Sequence, residues 1–352
     1  MAVTFQAETV DSSSVQGQLT LLVTKTGIPH VVYTSPAGRI RYAHKGGGSW
    51  VQEELPPGAE TTGGDDRVCI VLDSHEKPHV AFRGRQNDHL VYGVKNGTWK
   101  FEEVPTQGGI HPRGAQHISL RLHPGRFDSG LRDTPHLSYH DLFHPRLAYV
   151  AKTPEDGRLT WKGHVEEVDY PGDPHDAGLH SSLVFDADET IGIAYFDDRA
   201  DTYQRPKLAM RGDFEWAKEL LDGTTARGEF ASMVPGLVGR DAIGYYDVEN
   251  KQIAVWIRDR AEPPARREVV ASDVPRGAKP SLAATPTQAL RVAYVDADGL
   301  RVALRSANDT WDVTTLDTAT TAAWPSLAYD QTGAAHIAWV SGGTLKYARG
   351  TE

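Results

Sequence analysis

The sequence predicts an all-β fold, a seven-bladed β-propeller with four-stranded antiparallel blades. Three observations predict it. A phrase built on an aromatic residue recurs seven times, at Tyr33, Phe82, Tyr139, Tyr195, Tyr245, Tyr294 and Trp339, about every 50 residues, which is the period of blade-type repeats. Each copy contains short β-branched and aromatic runs separated by Gly and Asp turns, the pattern of antiparallel strands. The seventh copy stops after its third run, LKYARGTE, and the opening residues VTFQAETV have the character of the missing fourth.

The first run of each copy is the inner strand: QLTLLVT, RVCIVLD, HISLRLH, HSSLVFD, FASMVPG, KPSLAAT and WPSLAYD. A turn leads to the aromatic phrase, as in PHVVYTS, PHVAFRG, PHLSYHD and AHIAWVS. A third strand follows, as in RIRYAHK or HLVYGVK. The fourth often opens on Trp, as in SWVQEEL, TWKFEEV, TWKGHVEEV, EWAKELL and TWDVTTL. Pairing residues 3–10 with the last blade closes the ring and removes an exposed strand edge. No linker interrupts the repeats, so residues 1–352 are expected to form one domain.

Composition narrows the function. The 352 residues are 24% charged and 39% apolar, ordinary values for a globular chain. A net charge of −10 argues against nucleic acid and anionic membrane surfaces as partners. No run is apolar and long enough to span a bilayer. The first residues carry no signal-peptide pattern, and no compartment is assigned. The single cysteine, Cys69, excludes an intrachain disulfide framework. It occupies the Ser/Thr slot of an inner strand and is expected to be packed rather than nucleophilic.

A repeat permits a subtraction. Residues that recur are scaffold; residues that break the pattern at equivalent positions need another reason. His30, His79, His136 and His336 share one slot and are expected to be buried and hydrogen-bonded. Trp50, Trp99, Trp161, Trp216 and Trp311 are expected to pack between blades. The residue opening each inner strand does not recur: Gln18, Arg67, His117, His180, Phe230, Lys279 and Trp324. These seven are expected to ring the top of the channel, the end where inner strands begin. The residues after each aromatic, Thr34, Arg83, His140, Phe196, Tyr246, Val295 and Val340, are expected to form a second ring beside the first. His140 is thus the extra histidine of PHLSYHD. The loop DDRADTYQR adds Arg199 near the same face, and the insertion PGRFDSGLRD in blade three either overhangs the channel or fills the opposite face.

His117, His140 and His180 have the residue types of a three-imidazole metal site, with Asp141 or Asp197 to assist, but the neighbouring arginines disfavour a cation. No metal is assigned, and the cofactor is left unknown. An acid/base reading suits the arginines better. A histidine removes a proton α to a carboxylate once that carboxylate is neutralised. Arg67, Arg83 and Lys279 are candidates to bind the anion, with Gln18 and Arg199 as further contacts. Trp324 and Phe230 offer an apolar wall for a sugar ring. His117, His140 and His180 are the candidate proton carriers and Tyr246 a helper.

The GTW and GSW phrases resemble the end of the Asp-box turn of sialidases, and the repeat resembles the bacterial sialidase-like type. The site composition resembles that of seven-bladed propeller polysaccharide lyases of the ulvan-lyase kind. That resemblance implies a histidine pair on the channel face, here His117 and His140, with Tyr and Arg helpers; His180 stands where a lyase tyrosine would be sought. The expected partner is a small molecule or saccharide of anionic character. The alternative is a non-catalytic carbohydrate-binding or protein-interaction propeller with repeated sites around the recurrent Trp. Glu53, Glu102 and Glu166, near those Trp, read as ordinary solvent-facing residues of outer strands.

Overall fold

In the computed structural model the described residues are 4–61, 68–105, 113–155, 158–161, 165–170, 175–199, 203–213, 215–221, 228–261 and 265–351. Seven antiparallel sheets follow one another around a ring. Their inner strands are Thr20–Val23, Cys69–Leu72, Ala115–Leu122, Asp176–Phe185, Gly228–Met233, Ser281–Ala284 and Ala322–Tyr329. From these, six of the sheets run outward in chain order, and the seventh ends on the N-terminal strand. The outer position of blade three departs from the single strand expected: Arg158–Trp161 and Glu166–Asp169 each pair with part of Arg146–Glu155.

The closing strand is Thr4–Asp11, one residue beyond the expected span at its end; residue 3 of that span lies outside the described residues. It runs antiparallel to Thr344–Thr351, from Thr4 opposite Thr351 to Asp11 opposite Leu345. The last blade therefore joins both ends of the chain, and its edge is paired rather than bare. Asp11 also ties this strand to blade one, accepting from the buried Tyr33 hydroxyl at 2.8 Å and from Arg41 at 3.2 Å. The same latch recurs where Tyr195 and Lys207 of blade four meet Asp169, both at 2.7 Å.

The apolar core lies between blades. Tyr42 and Leu55 of blade one, for example, pack against Ile70, Val80 and Phe82 of blade two. The recurrent histidines sit inside each sheet as expected. His30 Nδ1 pairs with the Tyr42 hydroxyl at 2.6 Å. His79 pairs likewise with Tyr92, His136 with Tyr149 and His336 with Tyr347. Each bond spans the second and third strands of one blade.

A belt of side-chain hydrogen bonds links all seven inner strands. Ser119, Ser182, Ser232, Ser281 and Ser326 each accept, at 2.9–3.1 Å, the backbone N–H of Leu183, Met233, Leu282, Leu327 and Leu21 in the next blade. Thr20 donates to the Val68 carbonyl at 3.0 Å. Cys69 completes the circle, its thiol donating to the Ile118 carbonyl at 2.9 Å. The cysteine is buried and donates to a carbonyl of the next blade as the Thr20 hydroxyl does, in keeping with its Ser/Thr slot.

Candidate functional site at the top of the channel

Six residues that open the inner strands, Gln18, His117, His180, Phe230, Lys279 and Trp324, line one cavity of about 80 Å³. Arg67, the seventh, lies outside the described residues. The backbone explains how several of them turn inward. His117, His180, Phe230 and Trp324 all have positive φ, between 51° and 62°. Each falls where the inner ladder shifts register, at Gln116/Ser119, Leu179/Ser182, Glu229/Ser232 and Ala323/Ser326. These are β-bulges, which re-aim a side chain. A left-handed backbone at a residue with a Cβ costs on the order of 1 kcal/mol, so the surrounding sheet holds these four residues in place. Gln18 and Lys279 precede strands without such a bulge.

The ring has an aromatic order. The His117 and His180 rings lie 4.3 Å apart between centroids, and His180 meets Phe230 edge-on at 4.6 Å. Lys279 Nζ then lies 4.4 Å from the Phe230 ring centroid and 3.5 Å from that of Trp324. Both contacts are within cation–π range. Two imidazoles thus occupy one side of a small cavity and an ammonium framed by two aromatic rings the other.

The second ring does not share this surface. Thr34, His140, Phe196, Tyr246 and Val340 are buried; their strands keep regular pleat alternation, while the bulges turn His117, His180, Phe230 and Trp324 inward to the channel. Tyr246 donates its hydroxyl to the Val274 carbonyl at 3.1 Å and belongs to the apolar core of blades five and six. Burial, the leading cause, and the nearby Glu229 carboxylate push its phenol up from the usual range. The structure does not bring it to the cavity. Arg83 pairs with Asp88 of its own blade and is not among the lining residues. Arg199 ends the strand Ile191–Arg199, its backbone opposite Tyr203; its side chain falls outside the described part.

His140 is the informative member of the second ring. Its side chain is 1% exposed, and Nε2 lies 2.6 Å from Asp176 Oδ1 of blade four. With that carboxylate accepting from Nε2–H, a neutral imidazole carries its lone pair on Nδ1. Nδ1 is buried and has no hydrogen-bond partner among the described residues. The His140 ring centroid stands 6.1 Å from that of His117. An Asp–His pair, its histidine buried and its carboxylate partly exposed, therefore lies beside the cavity-lining imidazole. Asp176 was not selected from the sequence. The signal was available: four residues before each inner-strand opener the chain reads Ser14, Gly63, Arg113, Asp176, Ala226, Pro275 and Thr320, and only blade four carries a carboxylate there.

The blade interfaces hold a second, repeated arrangement. Trp50, Trp99, Trp161 and Trp216 pack edge-on against Tyr347, Tyr42, Tyr92 and Tyr149 of the preceding blade, at 5.2–5.8 Å between centroids. A cation, Lys45, Lys95, Lys152 or Arg211, lies over each pair's tyrosine. A carboxylate of the preceding blade, Glu8, Glu53, Glu102 or Glu166, binds that cation. Glu53, Glu102 and Glu166 are therefore members of an interblade cluster and not the plain solvent-facing residues expected. The contact that corrects this is between blades, and no pattern within one repeat displays it.

Elsewhere, the ligand atoms of Asp73, His75 and Asp133 lie within 4.8 Å of one another. Their carboxylates are engaged in turn chemistry: Asp133 accepts from Ser74, and Asp73 from the His75 and Lys77 amides.

No protein-family model and no curated protein matches the chain. Solved structures share its fold. The chain is similar to the polysaccharide lyase Uly1, with a TM-score of 0.62 at 11% identity over 96% of this chain and 90% of that one. It is similar to an α-L-arabinanase of Penicillium chrysogenum, solved with arabinobiose, with a TM-score of 0.55 at 12% identity over 100% and 99% of the two chains. It is also similar to a mutant of the Aleuria aurantia lectin, solved with Fucα1-6GlcNAc, with a TM-score of 0.53 at 10% identity over 88% and 97%. At such identities the likeness is one of fold; the seven blades are this chain's own.

Proposed function

We propose that the top of the channel binds an acidic saccharide and transfers protons on it. One observation carries the reading: residues that break the repeat converge on one cavity, with the His117–His180 pair facing the same space as Lys279, Phe230 and Trp324. Lys279 holds the carboxylate, and the rings of Phe230 and Trp324 receive the apolar face of the sugar. One imidazole takes the proton α to the carboxylate. The electron pair so released forms a carbon–carbon double bond, and the bond to the leaving glycosidic oxygen breaks. The second imidazole donates a proton to that oxygen. His140, fixed by Asp176, positions and supports the neighbouring His117. The fold shared with a polysaccharide lyase is compatible with this chemistry, although fold alone does not assign function.

The test is a thermal-shift survey with uronic acids, acidic oligosaccharides and neutral sugars on the wild type, His117→Ala and Lys279→Gln. Acidic oligosaccharides are expected to raise the melting temperature, and both variants to lose the effect. The elimination itself is read as ultraviolet absorbance of a conjugated unsaturated uronate. Equal behaviour of all three proteins toward every acidic ligand rejects the site.

A second reading rests on the four interblade clusters. Repeated Trp, Tyr, cation and carboxylate groups suit a lectin with several equivalent sugar sites, and lectins are among the solved structures similar to this chain. Neutral sugars that still stabilise His117→Ala, but not Trp99→Ala, favour this reading.

A further inference from the structure

Two cavities adjoin at the level of the belt of Ser, Thr and Cys side chains. Thr20, Ser232, Ser281 and Ser326 line both the upper cavity and a much larger chamber below it, of about 660 Å³. That chamber is within the usual range for small-molecule sites. Its lining combines partly exposed aliphatic side chains, Leu22, Leu72, Leu122, Ala284 and Ala328 from five different blades, with Ser and Thr hydroxyls and Gln288. Among the described residues, the charged ones lining it are Arg121 and Arg126, both from blade three, and no carboxylate lines it.

Arg126 owes its place to the blade-three insertion, which lies at this bottom end and not over the top site. The insertion is anchored at several points. Asp128 caps the short turn Ser129–Leu131 by accepting the Gly130 amide. The Arg126 and Phe127 amides donate to the Glu189 carboxylate of blade four. Arg132 returns to the Gly125 carbonyl at 3.2 Å. So Glu189, the nearby acid, is occupied by backbone amides. The Arg126 guanidinium reaches across toward blade five, where a Cβ on Gly236 would sit 3.9 Å from Nη2. Two large apolar residues flank this end, Phe127 at 74% exposure beside Arg126 and Val238 at 67% in the blade-five turn.

We propose that this lower chamber is a binding site for a small amphipathic anion, an aliphatic chain with one carboxylate. The chain removes apolar wall from water, and the carboxylate pairs with Arg126 at the opening, a charge-assisted contact that planar guanidinium favours. The site is independent of the proton-transfer site above the belt. Isothermal titration calorimetry of the full chain with decanoate, decanol and acetate tests it. Decanoate is expected to bind once per chain, and decanol and acetate at least tenfold more weakly. Arg126 is exposed, so Arg126→Gln keeps the fold, and it is expected to weaken decanoate by about tenfold to a hundredfold, with partial recovery in Arg126→Lys. Lys279→Gln is expected to leave decanoate affinity unchanged. Absence of saturable decanoate binding overturns the proposal. So does equal affinity for decanol, equal affinity of Arg126→Gln, or loss of binding in Lys279→Gln, which moves the ligand to the upper cavity.

Discussion

Acid should loosen this ring well before its carboxylates are protonated, and His30 shows why. Burial first, then the positive neighbours His44 and Lys95, hold its imidazole down to about 4 from an ordinary 6.5. Because the folded state resists the proton that the unfolded chain accepts, the neutral ring contributes stability that is complete above about pH 6.5. That contribution is lost as pH falls through the window down to 4. At about 1.4 kcal/mol per pH unit, the loss between pH 7 and pH 4.5 is roughly 2–3 kcal/mol for this one site. His79 and His336 occupy the same slot and are also lowered chiefly by burial, although Asp73 and Asp330 pull them back up. The perturbation is His30→Gln, which removes the titration and keeps a polar group opposite the Tyr42 hydroxyl. The assay is urea unfolding at pH 7 and pH 4.5. His30→Gln is expected to be the weaker protein at pH 7, by about 1 kcal/mol for the altered hydrogen bond. It should lose roughly 2–3 kcal/mol less than the wild type on acidification. Parallel losses in the two proteins would refute the reasoning.

Three further outcomes follow from other parts of the molecule. Deleting residues 1–11 bares the strand Thr344–Thr351 and strands the Tyr33 hydroxyl, so the melting temperature should fall sharply; Asp11→Ala alone should cost about 1–3 kcal/mol by urea unfolding. Cys69→Ser should preserve the belt and be near neutral. Cys69→Val should cost about 1–3 kcal/mol through the unpaired Ile118 carbonyl, and thiol reagents should label Cys69 only after denaturation. If the top site turns over an acidic saccharide, Asp176→Asn should lower kcat about tenfold or more with KM little changed. Asp176→Glu should restore part of the rate, and no change in kcat would remove Asp176 from any positioning role.

The repeat made the architecture legible. Seven aromatic phrases, four runs per copy and a missing last strand specify a closed ring, because each sheet alone leaves an apolar face that only a neighbour covers. The same subtraction separated scaffold from site: His30 and its equivalents are bound to tyrosines, Cys69 fills a hydroxyl slot, and Gln18, His117, His180, Phe230, Lys279 and Trp324 line one cavity. Side-chain direction was decided by the tertiary structure. Pattern reading places His117 and His140 side by side, but a bulge turns His117 into the channel while regular pleating leaves His140 and Tyr246 buried. Contacts across blades were equally beyond the sequence pattern. The Asp176–His140 bond joins residues of different repeats, as do the Glu–cation–aromatic clusters and the belt around the channel. Periodicity along the chain determines which residues are alike; only closure of the ring determines which of them meet.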